Sequence, residues 1–203
     1  MRAVHARGYN DFHDVPYYIF HEVNAAMQVC HNVGDYAFVF EKYSDSLTDF
    51  QIGYAFEDIG INNYERLPPF WNVILPRVKQ QIPTLDRSCT QSLLQIVHGA
   101  SEMSLQDNEL WELLESKIVD EGLLRYFTLE ETGQMLCHFA NVGRGSDELI
   151  EQIEKTFIKH RKALHINPHI LALCKDGFSQ LNKGSEILKR VLEDPTVQLP
   201  QLE

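Results

Sequence analysis

The chain has 203 residues, 44% of them hydrophobic, and 29 acidic residues against 18 Lys and Arg, for a formal net charge of −11. That length and apolar content suffice for one sizeable globular unit or a short repeat array. The charge argues against a broad RNA or DNA footprint, because such binding is driven by neutralised phosphates. No apolar run approaches the roughly 20 residues that span a bilayer, and the run over 36–40 meets Glu41 and Lys42 at once.

Residues 1–10 carry Arg2 and Arg7 with no acid before Asp11. This resembles a targeting presequence in charge, without its serines or its amphipathic face. Residues 1–19 read as an extended docking segment. Tyr9, Phe12, Tyr17 and Tyr18 lie around Pro16, and aromatics at this density outside a clear helix favour a protein interface.

From residue 20 onward one pattern recurs, in which apolar or small residues at i, i+4 and i+7 are followed by Gly or a small polar residue. The copies are Ala26, Cys30, Val33, Gly34; Ile52, Phe56, Ile59, Gly60; Ile96, Ala100, Met103, Ser104; Met135, Phe139, Val142, Gly143; and Cys174, Phe178, Leu181, Asn182. The spacing makes one apolar helix face. The closing residue sits where a helix end takes the left-handed conformation, a role suited to Gly34, Gly60, Gly143 and Asn182 and less well to Ser104. The last three copies end 39 residues apart, at 104, 143 and 182. A period of this size predicts an all-α fold, a short α-solenoid of antiparallel helix pairs.

The second helices follow. A short one is expected over 36–43. Pro68 and Pro69 can open the next, and Pro76 would kink it. A third is predicted over 107–120, with Leu110, Trp111, Leu114 and Ile118 inside and Gly122 closing it. Thr128 and Glu131 form a capping box for the next first helix. Ser146, followed by Asp147 and Glu148, caps the helix after it, whose C-terminal end carries Lys155, Lys159, Arg161 and Lys162 in keeping with the helix dipole. Asn167 caps a helix with Pro168 at its first position, and the last helix runs over 185–192. Residues 20–194 thus read as one helical-repeat domain of about five helix pairs, and 195–203, with Pro195 and Pro200, as an extended tail. Both ends of the chain are expected to be held by neighbouring proteins.

Side chains able to carry chemistry are scattered. His165 and His169 have ligand-like spacing with Cys174 beyond them, but Asn167 and Pro168 put a helix boundary between the two. Cys30, Cys89, Cys137 and Cys174 contain no CxxC pair and read as free thiols, mostly buried. The turn 143–146, Gly-Arg-Gly-Ser, precedes a helix and could hold an anion, yet lacks the Lys-Ser/Thr ending of a phosphate loop. Glu109, Glu112, Glu115, Asp120 and Glu121 read as a solvated helix face. No catalytic residue, metal site or cofactor is expected. A row of polar residues on successive first helices, Gln95, His98, Gln134, His138, Asn141 and Gln180, is the candidate contact face.

Residues 128–143, Thr-Leu-Glu-Glu through Met135, Leu136, Cys137, His138, Phe139, Ala140, Asn141, Val142 and Gly143, resemble the octotricopeptide and FAST-kinase-like helical repeats of organelle proteins. The resemblance covers about 90–194 and, loosely, 20–85. It implies a mitochondrial setting, at the periphery of an inner-membrane complex or in the matrix. It also implies a non-catalytic subunit of a large assembly, a respiratory complex or ATP synthase being favoured by the acidic charge. The alternative it implies is an organellar RNA-binding repeat protein, acting in RNA processing or in the mitoribosome.

Overall fold

The computed structural model of the protein describes residues 15–194 and 196. Tyr9, Phe12 and nearly all of the proposed C-terminal tail therefore lie outside the described residues. Among those described, the chain is all-helical: α1 (Tyr17–Met27), α2 (Val33–Lys42), α3 (Asp49–Ile61), α4 (Leu75–Gln81), α5 (Thr90–Glu102), α6 (Asn108–Asp120), α7 (Leu129–Asn141), α8 (Asp147–Lys159), α9 (Arg161–Ile166), α10 (Pro168–Leu181) and α11 (Glu186–Glu193). Where the sequence pattern suggests one domain over 20–194, the packing separates two compact units, one up to Leu114 and one from Glu115.

In the first unit the dominant packing is α3 on α5. The two backbones approach unusually closely. A Cβ on Gly60 would lie 2.6 Å from the carbonyl oxygen of Gly99, and one on Gly99 would lie 2.5 Å from that of Phe56. Gly60 is therefore a close-packing residue inside α3 and not the left-handed terminator expected of it. Asn63, at φ 50°, takes that position, and its neighbour's N–H, that of Tyr64, reaches the Ile59 carbonyl at 3.1 Å.

The first copy of the pattern is not a single helix either. Ala26 lies in α1, Cys30 in the turn after it and Gly34 in the first turn of α2. The cause is Asn32, whose side chain accepts from the Asp35 N–H at 3.0 Å and starts a new helix there. Pro76 stands in the first turn of α4. The segment Phe70–Ile74 forms a π-helical turn, and α4 starts only at Leu75. Phe56 and Phe70 stack with centroids 5.9 Å apart, in a core shared with Ile52, Ile59, Ile74, Val78, Leu93 and Ile96.

Polar groups, some of them buried, tie these elements together. Gln51 closes a capping box with Thr48 and also donates to Asn24 Oδ1 at 2.7 Å and to the Phe20 carbonyl. The Tyr36 hydroxyl donates to Asp58 at 2.7 Å. Burial and that carboxylate push the Tyr36 pKa well up. Lys79 holds Asp107 and Glu109 at 2.8 and 2.7 Å.

In the second unit α7 packs on α10 and on α8, and α8 on α11. Met135, Leu136, Phe139, Leu149, Ile153, Phe157, Cys174, Phe178, Leu188 and Val191 fill the core. The caps predicted from sequence form as expected. Thr128 and Glu131 make a reciprocal capping box, Ser146 accepts from Leu149 N–H and Asn167 from His169 and Ile170. Gly122, Gly143 and Asn182 adopt φ of 59°, 65° and 51°.

Candidate functional site

The sequence singles out a row of polar residues on successive first helices and the aromatic residues near the N-terminus as contact surface. Tyr17 and Tyr18 are each 71% exposed. They form the first turn of α1, not an extended strand. Pro16 fixes φ near the value a helix start needs, and the carbonyl of Pro16 accepts from the N–H groups of Ile19 and Phe20. Tyr17 packs edge-on to His21, with ring centroids 4.2 Å apart.

In the first unit the polar row is not a free surface. Gln95 is only 5% exposed, and its Oε1 has no hydrogen-bond partner. It fills the α3–α5 seam over Gly53, where an added Cβ would come within 3.0 Å of that oxygen. His98 is half-buried. Its Nδ1 lies 2.8 Å from Glu57 Oε1 on α3, and its Nε2 3.5 Å from Glu102 on its own helix. The Glu57 hydrogen bond raises the His98 pKa against the opposing effect of burial. These two side chains therefore join α3 to α5.

In the second unit Gln134, His138 and Asn141 lie at i, i+4 and i+7 of α7 and so share one face. Gln134 and His138 are half-buried and Asn141 is exposed. Gln180 is exposed on α10, the helix packed on α7.

The spacing-based metal reading of His165 and His169 fails on geometry. His165 Nε2 lies 2.7 Å from the Val191 carbonyl, whereas His169, across the helix break, faces Glu130 at 3.7 Å. The 143–146 turn already holds an anion, the chain's own. Glu115 accepts from the Ser146 N–H at 2.8 Å. Likewise Glu154 accepts from the Ser185 N–H at 3.0 Å and from its hydroxyl. The acids of α6 and of the turn after it are thus not simply a solvated face: Glu109 pairs with Lys79, Glu115 caps a neighbouring segment, and Glu121 pairs with Lys117, itself only 8% exposed.

All four cysteines are free. Burial pushes the thiol pKa of Cys30 up to about 11 and those of Cys89 and Cys174 up to about 12. Such thiols stay protonated and poorly nucleophilic at neutral pH.

Several exposed apolar side chains escape the repeat pattern: Val29 at 68%, Phe38 at 64% and Trp71 at 46% in the first unit, and Ile166 at 83% in the second. Phe38 had a signal in the sequence. Tyr36, Ala37 and Phe40 take the inner face of α2, which leaves Phe38 turned outward at 100° per residue.

No protein-family model matches the sequence, and comparison with characterised proteins finds no match.

Proposed function

We propose that the chain is a non-catalytic α-solenoid of helix pairs with a 39-residue repeat, serving as a protein–protein scaffold within a large assembly. What supports this reading is the recurrence of individual hydrogen bonds in one register. First helices begin at residues 90, 129 and 168, and second helices 18 residues later, at 108, 147 and 186. Ser104, Gly143 and Asn182 are all left-handed. The N–H groups of Leu105, Arg144 and Lys183 each bond the carbonyl five residues back. The second helices are capped at 107, 146 and 185, where Asp107, Ser146 and Ser185 accept from the N–H three residues on. Glu115 and Glu154, again 39 apart, each bond the N–H of the residue 31 positions later. Recurrence at this level is what stacked units of one design require, because each unit buries its apolar side only against the next.

Arrays of this kind present surfaces, and in the first unit several titratable side chains are engaged within the fold: His98 with Glu57, Tyr36 with Asp58, Lys79 with Asp107. The mitochondrial setting, at a respiratory complex or ATP synthase, rests on the resemblance of 128–143 to organellar helical repeats. The net charge of −11 favours protein neighbours over RNA. Tyr17 and Tyr18 are the aromatic anchors the proposal assigns to a partner. Replacing both with alanine is expected to release the protein from its native assembly, with its circular dichroism spectrum and melting temperature unchanged. Retention of the double variant at the wild-type stoichiometry would count against those anchors.

A further inference from the structure

The geometry points to a binding site for a compact phosphate-class polyanion, a ligand bearing a pyrophosphate or two adjacent phosphate groups, in the cavity between the segment 122–129 and α8. The cavity has a volume of about 550 Å³, within the range of small-ligand sites. Four basic side chains line it, Arg125, Lys155, Lys159 and His160, beside Phe127 and Thr128, and no Asp or Glu does. That charge sign is unusual for a chain with 29 acids and 18 Lys and Arg.

The bases come from separate places. Arg125 sits on the 3-10 turn Leu123–Tyr126, Lys155 and Lys159 lie one turn apart on α8, and His160 follows its end. Attraction to the C-terminal end of the α8 dipole accounts for the two lysines, but not for Arg125 arriving from another element. Lys155 is committed to Glu151 at 2.7 Å. Arg125 lies over the Tyr126 ring at 4.8 Å. Among the described residues, no carboxylate comes within ion-pair distance of Arg125, Lys159 or His160. A guanidinium offers the paired donors that phosphate oxygens accept, and an ammonium adds a point charge. The volume holds only a few peptide residues, so dense charge on a compact ligand matches it better than an acidic segment does.

The test is calorimetric titration of the full chain with inorganic pyrophosphate at physiological ionic strength, with a glutamate-rich peptide as a second titrant. Arg125→Ala/Lys159→Ala is expected to weaken pyrophosphate binding at least tenfold. Arg87→Ala/Lys175→Ala, the same change of charge at two residues that do not line the cavity, is expected to leave it within twofold, with both variants melting as the wild type does. No binding of pyrophosphate, equal loss in the two variants, or peptide binding as tight as pyrophosphate would each overturn the proposal. Because the probe is a small anion, these outcomes do not depend on whether the chain joins an assembly.

Discussion

Gly99→Ala is the sharpest probe of the first unit. Helix propensity alone makes this substitution stabilising by about 1 kcal/mol in a helix interior. The structure reverses the sign. The new Cβ would meet Phe56 O at 2.5 Å, Phe56 C at 2.8 Å and the Glu57 Cα at 2.9 Å, all backbone atoms of α3. No rotamer change relieves such a contact, so α3 and α5 must move apart, and a gap of even ~0.5–1 Å forfeits a quarter to a half of the dispersion attraction between facing atoms. Overpacking costs about 1–3 kcal/mol, and a backbone-on-backbone clash belongs at the upper end. Subtracting the propensity gain leaves a net loss of about 2 kcal/mol. With a urea dependence of about 2 kcal/mol per molar, the midpoint of the first unit should fall by about 1 M when followed by helical circular dichroism. Gly53→Ala, whose nearest contacts are Gln95 Oε1 and Ser92 O at 3.0 Å, should cost less. A Gly99→Ala protein as stable as the wild type, or more so, would refute the close α3–α5 approach.

Three further outcomes follow from the same geometry. His98 has a raised pKa because Glu57 holds its charged form; its contribution is complete below the unfolded value of about 6.5 and disappears as pH rises through the higher folded value. The melting-temperature gap between wild type and His98→Gln should therefore narrow above about pH 6.5, and a pH-independent gap would contradict the pairing. Glu154→Ala removes an acceptor for both the N–H and the hydroxyl of Ser185. It should cost about 1–2 kcal/mol, seen as faster amide exchange in α11; unchanged exchange there would contradict that role. Cys30, Cys89 and Cys174 should react with a thiol reagent at pH 8 far more slowly in the native protein than in denaturant, because their pKa values lie at about 11 to 12; equal rates would show that these sites are open.

The C-terminal half is legible in the sequence because its signals are local and agree with one another. A cap such as Thr128 with Glu131, a terminator such as Gly143 and an i, i+4, i+7 stripe all act within one helix, so their spacing reports the structure directly. The N-terminal half depends on long-range packing. Gly60 looks like a terminator until its neighbour Gly99, 39 residues away in sequence, is known to press on it. Gln95 and His98 occupy polar positions at helical spacing, and only the position of α3 turns them from surface into seam. In the same way, sequence spacing finds Lys155 and Lys159 as dipole partners, while their convergence with Arg125 on one cavity requires the turn at 123–126.

The proposed role makes this chain a fixed component of an assembly. The mass of the native particle, isolated at its endogenous level without cross-linking, tests it most directly. The expected particle is many times larger than the 23.5 kDa chain and contains it at one defined stoichiometry. A free monomer of 23.5 kDa under those conditions would contradict it.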